Sequence, residues 1–231
     1  MEKTLPAQSE IEIIAEGNRG RAAMYRVLAS LLFKELSEDQ IEELRGQNLA
    51  EGVEDEVMAE GLDEMCRYLA CTKYGCRQAL ASDYAHTFLA AGGYEERYAT
   101  PFESVFTSKD GLIMQDARDD VYRTYRMEGL SVEQKENSFV PEDHLSFEFE
   151  FMATLCDRHT KALEAGDANE ADRILALEAE FSKNHQMNWV DALCDIIDSC
   201  AQTHFYKGVG KVVRGFVHQE SQLLAEEAGN E

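Results

Sequence analysis

Only three prolines and fifteen glycines punctuate the 231 residues of this chain, so little in it breaks a helix. Apolar residues recur at helical spacing along most of its length. In MYRVLASLLF, Met24, Leu28, Leu31 and Leu32 share one face. Ser37 opens SEDQIEEL with Gln40 three residues on, a capping-box pattern. Glu54 to Leu69 and Arg77 to Ala90 read as further helices, broken at CTKYGC. DARDDVYRTYRMEGL carries acids in its first turn and Gly129 as its stop. ANEADRILALEAEFSKNH, WVDALCDIIDSCAQTHFY and KVVRGFVHQESQLLAEEA complete the series. Glycine, proline and aromatics mix without period from Gly92 to Gly111, which reads as a long irregular connection, and Ser131 to Ser138 reads as a polar link. The pattern implies an all-α fold, one multi-helix globular domain over residues 1–231. Two sub-halves, about 1–91 and 112–231, would share its core.

Composition removes several classes of function. With 45 acidic and 22 basic residues the net charge is −23, which repels nucleic acid and anionic membrane surfaces and suits a cationic partner. No apolar run approaches the ~20 residues that cross a bilayer. The beginning, MEKTLPAQSEIEIIAEGNRG, lacks the pattern of a secretory signal, so a cytoplasmic location is expected. Cys66, Cys71 and Cys76 recur every fifth residue, about 140° apart on a helix, and no C-x-x-C pair exists. Neither a metal site nor a disulfide framework follows, and all six cysteines are expected to be reduced thiols packed as small hydrophobes.

The segment VPEDHLSFEFEFM, from Val140, is the most informative. Phe147, Phe149 and Phe151 alternate with Glu148 and Glu150 as in a strand, whereas Pro141, Glu142 and Asp143 read as the first turn of a helix. On a helix Leu145, Phe149, Met152 and Cys156 form one apolar stripe, and Phe147, Phe151 and Leu155 a second roughly opposite. The pattern runs on to Leu163, too far for a typical strand, so a helix packed on two sides is expected at the centre of the bundle. His144 and Glu148, four residues apart, could hydrogen-bond and favour a charged histidine. Spacing alone favours a plainer reading, Asp143 as a cap and His144 as a satisfied core histidine.

VPEDHLSFEFEFM resembles the E-P-x-D-H-L/F signature of the TorD/DmsD family of molybdoenzyme maturation chaperones. SDYAHTFLA, the P-[aromatic]-x-S-V-[aromatic] core of PFESVF, and the H-x-x-x-W…A-x-x-x-F-Y pattern of HQMNWVDALCDIIDSCAQTHFY resemble that family's other motifs in the same order, over most of the chain. The resemblance implies an all-helical chaperone without turnover chemistry or cofactor. It would bind the N-terminal twin-arginine leader of a molybdopterin-dependent oxidoreductase precursor and hold it until cofactor insertion and export. Asp143 and His144 match the pair implicated in leader recognition, and Tyr84, Phe88, Phe102 and Phe106 stand where the family places the aromatics of its binding region. Pro141 and Glu142 form the motif's start, with Glu148 in support. Val140 replaces the usual glutamate, the loop has one proline where relatives commonly have two, and all four aromatics are tyrosine or phenylalanine rather than tryptophan.

Two other readings stand beside this one. A chaperone of the same fold would serve a nitrate-reductase-type enzyme that has no functional leader. A metal- or nucleotide-dependent helical enzyme would use His144 and Glu148 with Glu150 or His159, or KGVGK from Lys207 to Lys211. Helical geometry separates Glu150 and His159 from the His144 face, and KGVGK lacks P-loop spacing. A domain-swapped homodimer is compatible with the long connection but not required by it.

Overall fold

The computed structural model describes residues 8–89, 98–134 and 139–229, and among these every regular element is helical. The chain runs through α1 (Gln8–Phe33), α2 (Glu38–Arg45), α3 (Glu56–Cys71), α4 (Cys76–Phe88), the short α5 (Glu103–Thr107), α6 (Asp116–Met127), α7 (Leu145–Ala165), α8 (Ala168–Phe181), a π-helical turn (Ser182–Gln186), α9 (Val190–Cys200) and α10 (His204–Gly229). The capping box at α2 is present: the Gln40 N–H donates to Ser37 Oγ at 3.2 Å, and the Ser37 N–H to Gln40 Oε1 at 3.0 Å.

Two long helix pairs make the core. Helix α7 lies against α1 on one side and α8 on the other, as its two apolar faces require. Helix α10 packs against α3 and α9. The pairs meet at Tyr25, whose ring touches Phe149 of α7 at 5.5 Å and Phe216 of α10 edge-on at 4.7 Å. Both pairs join a helix from before the long connection to one from after it, so the core is built across the chain's midpoint.

Glycine sets how closely α3 and α10 approach. A Cβ at Gly61 would sit 2.6 Å from the Gly208 carbonyl oxygen, so only hydrogen fits there. This is the place of KGVGK: Gly208 faces Gly61, Gly210 faces Ile197 of α9, and the segment lies inside a helix rather than in a phosphate-binding loop.

Polar groups staple the bundle where periodicity gives no hint. Asp83 of α4 accepts the Gln202 and Thr203 N–H groups at 2.9 and 2.8 Å and the Thr203 hydroxyl at 2.5 Å, capping α10 from a distance. The stretch WVDALCDIIDSCAQTHFY therefore breaks between Cys200 and His204. Arg21 of α1, buried, pairs with Glu178 of α8 at 2.6 Å and Glu220 of α10 at 2.8 Å. Burial pushes the Glu178 carboxyl up to about 7 despite the pull of Arg21.

Three expectations need correction. Residues 92–97 of the long connection and 135–138 of the polar link lie outside the described residues, but the remainder of the connection is not irregular throughout, since it contains α5. Helix α7 begins at Leu145, not at Pro141. His144, held extended (ψ 130°) by an antiparallel bridge to Phe102, occupies the cap position instead. The six cysteines are thiols outside any disulfide, yet Cys71 is exposed rather than packed, because it falls on the last, outward turn of α3.

Candidate functional site

The residues Pro141 to His144 form a junction between four elements. The Glu103 N–H donates to the Asp143 carbonyl at 3.0 Å and the Leu145 N–H to the Pro101 carbonyl at 2.9 Å, which zips the entrance of α5 onto the entrance of α7. Asp143 is fully buried, and its Oδ2 accepts the Ser104 N–H at 2.9 Å. It is a cap, but of α5, whose own preceding residue Phe102 supplies no side-chain acceptor. Glu142 pairs through Oε2 with the Arg118 guanidinium of α6, and its carbonyl accepts the Tyr125 hydroxyl at 3.4 Å.

His144 caps α7 through Nδ1, which accepts the Ser146 N–H at 3.1 Å. That bond makes Nδ1 the unprotonated nitrogen, leaving the imidazole neutral with its proton on Nε2. Its ring lies edge-on to Phe102 at 4.9 Å and to Phe33 at 5.8 Å, with Phe147 also at 5.8 Å. Burial lowers its pKa to about 3. The expected bond to Glu148, with a charged histidine, is therefore absent. Glu148 is buried with neither carboxylate oxygen bonded, and burial, with Glu103 and Asp143 nearby, pushes its pKa well above the usual carboxylate range. His144 is neutral at neutral pH. Glu103 accepts from His185 Nδ1 at 2.9 Å and Asn188 Nδ2 at 3.1 Å, tying α5 to the π-helical turn.

The four aromatics divide between two regions. Tyr84 and Phe88 lie in the core beside Tyr206, at 6.0 and 5.5 Å, and the Tyr84 hydroxyl donates to the Leu32 carbonyl at 3.0 Å. Phe102 packs on His144, and Phe106 packs on Trp189 at 5.2 Å. Asp143, His144 and Phe102 are thus brought together. Tyr84 reaches them only through α1, where Leu32 precedes Phe33.

Beside this junction opens a groove of about 610 Å³, within the ~300–1,000 Å³ range of ligand pockets. Phe33, Tyr125, Phe147 and Phe151 supply rings, Leu130, Val132 and Val140 supply aliphatic surface, and Glu133, Gln134, Glu150 and Thr154 supply polar groups. Sequence reasoning missed this groove and Phe33, an aromatic 41% exposed at the end of α1. The available signal was its position, just off the Leu28–Leu31–Leu32 stripe, where an aromatic has no core to enter. Among the described residues no group of His, Cys, Asp and Glu is arranged to hold a metal ion, and His159 instead shares a hydrogen bond with Asn18 at 3.2 Å. No described helix is long and apolar enough to cross a membrane.

An all-helical bundle with an aromatic groove at a helix junction offers a surface on which an apolar ligand could lie. A family model described as "Nitrate reductase delta subunit" matches residues 52–195, well over half of the chain, and the chain belongs to that family. It is 27% identical over 218 residues to the chaperone protein TorD of Vibrio cholerae, covering 90% of this chain and 94% of that protein. It is 25% identical over 214 residues to the chaperone protein TorD of Vibrio parahaemolyticus, covering 90% and 95%. With that of Vibrio atlanticus it shares 24% identity over 219 residues, covering 91% and 97%. These relatives are named as chaperones, not enzymes.

Proposed function

We propose that this protein is a maturation chaperone for a molybdopterin-dependent oxidoreductase, acting in the cytoplasm. It binds the precursor's N-terminal twin-arginine leader and holds it until the cofactor is inserted and export can proceed. The observation that carries the reading is the groove: four rings line one open surface with two carboxylates and, among the described lining residues, no lysine, arginine or histidine. A leader offers arginines followed by an apolar stretch, and such a surface complements both parts. In this reading Asp143, His144 and Phe102 act by holding the wall. Asp143 is buried with Oδ2 occupied by Ser104, while the His144 ring backs Phe33 and Phe147. Pro141 and Glu142 set the turn, Tyr84 supports Leu32 beside Phe33, and Phe88 and Phe106 support the surrounding core.

A second reading takes its support from the family description: a nitrate-reductase-type client that is recognised without a functional leader. A pull-down from native cytosol, repeated with a client lacking its leader, separates the two. Retention of the full-length precursor alone supports leader binding, and equal retention of both forms supports the second reading. Failure to retain any molybdoenzyme precursor sinks both.

A further inference from the structure

Three acidic side chains close in sequence to the groove's lining are paired with arginine. Glu142 pairs with Arg118, Asp157 with Arg26 at 2.5 Å, and Glu128 with Arg158 at 3.2 Å and Arg173 at 2.8 Å. Glu150 and Glu133 are different. Both line the groove and are exposed, and neither has a cationic partner among the described residues. Glu150 stands on α7 between Phe147 and Phe151. Glu133 belongs to the segment after α6, on another wall. Gln134 fixes that wall: its Nε2 donates to the Val140 carbonyl at 2.7 Å, and the Val140 N–H donates to its Oε1 at 3.0 Å.

We propose that Glu150 and Glu133 are the specificity-determining residues of the groove, receiving the paired guanidinium groups of a peptide whose apolar part lies on Phe33, Phe147 and Phe151. This rests on the leader-binding reading and shifts its polar contact from Asp143, which is sealed, to two exposed carboxylates. An exposed ion pair is weak in open water. Here the carboxylates flank aromatic surface, which lowers the local dielectric and offers ring faces on which a planar guanidinium stacks. A lysine has neither the fork nor the flat face, so the groove favours arginine over lysine. The surplus acidic charge makes encounter faster and salt-dependent.

The test is titration calorimetry of the full chain with a synthetic peptide of two adjacent arginines followed by an apolar stretch, and with its Lys-Lys counterpart, at about 50 mM and about 500 mM salt. Glu150→Gln and Glu133→Gln are each expected to weaken Arg-Arg binding about fivefold, and together about twenty-five-fold, with a shallower salt dependence and loss of the arginine preference. Glu180→Gln, an exposed carboxylate of α8 away from the groove, is expected to change nothing. Wild-type binding that the double variant retains, with unaltered affinity and salt slope, overturns the assignment alone. No binding of either peptide by the wild type overturns the leader reading and the assignment with it. So does a dimer that Phe33→Ser dissociates while peptide binding stays absent, since a second copy would then be the groove's occupant.

Discussion

Replacing Asp143 in two ways separates a wall-holding role from direct contact with a guanidinium. The carboxylate is fully buried, and its one side-chain bond is the Ser104 N–H to Oδ2 at 2.9 Å. The bond from the Glu103 N–H runs to its backbone carbonyl and survives any substitution. Asp143→Ala leaves the Ser104 N–H unpaired in the interior and removes a charge-assisted bond, a loss of about 2–3 kcal/mol. For a chain of this size that lowers Tm by about 4–12 °C. Asp143→Asn keeps an amide oxygen for Ser104 and places an NH2 where Oδ1 now has no partner, near the acidic groups Glu103 and Glu148, so its cost is below about 1 kcal/mol. Urea unfolding followed by circular dichroism gives the stabilities, and calorimetry with the leader gives the affinities. Asparagine should bind as the wild type does, and alanine should weaken binding in step with its loss of stability. The opposite pattern, both variants stable and both unable to bind, would refute the reasoning and make Asp143 the arginine receptor.

Two further perturbations probe the frame around the site. His144 is neutral when folded, with its pKa lowered to about 3 from an ordinary 6.5, so the unfolded chain binds a proton there first as pH falls. The stability that depends on this is present above pH ~6.5 and lost on the way down, about 2 kcal/mol between pH 7 and pH 5. His144→Asn keeps a cap acceptor but has no such titration, so the stability gap between wild type and variant should narrow by that amount at pH 5. Equal pH slopes would contradict the burial argument. Gly208→Ala places a Cβ against the Gly61 carbonyl and 2.8 Å from Met65 Cγ, which should cost about 1–3 kcal/mol in urea unfolding. Gly17→Ala, with nothing within 4 Å, should gain about 0.5–1 kcal/mol. Similar values for the two would mean that α3 and α10 are not in close contact.

What could be read from sequence was whatever a helix writes locally. The stripe Leu145–Phe149–Met152–Cys156 is fully buried and α7 packs on two sides, because a 3.6-residue period records which faces are covered. The period does not record by what. Pro141–Glu142–Asp143 satisfies every local rule for a first helical turn, yet α5, some forty residues earlier, takes the Asp143 carboxylate and holds His144 extended, moving the helix start to Leu145. No local pattern singles out Asp83, which is the buried cap of α10. Tyr84 and Phe102 are both aromatic near the same loop, but one faces the core and the other faces His144, a difference carried by tertiary packing alone.

In the proposed function, the junction explains how a short signature accompanies binding without touching the ligand. Each member of Glu142–Asp143–His144 is committed to a different element: Glu142 to Arg118 of α6, Asp143 to Ser104 of α5, and His144 to Ser146 of α7 and the Phe33 ring of α1. Three neighbouring residues thereby fix four helices around one point, and the groove is the gap those helices leave beside it. Phe33 and Tyr125 belong to both the frame and the lining, whereas Glu133, Val140 and Glu150 line the groove and carry none of those bonds. Because Glu133, Val140 and Glu150 stand outside the frame, that part of the lining can be altered while the helices stay where the junction holds them. In the proposed function, that division puts the choice of client in those lining residues and the existence of the groove in the signature.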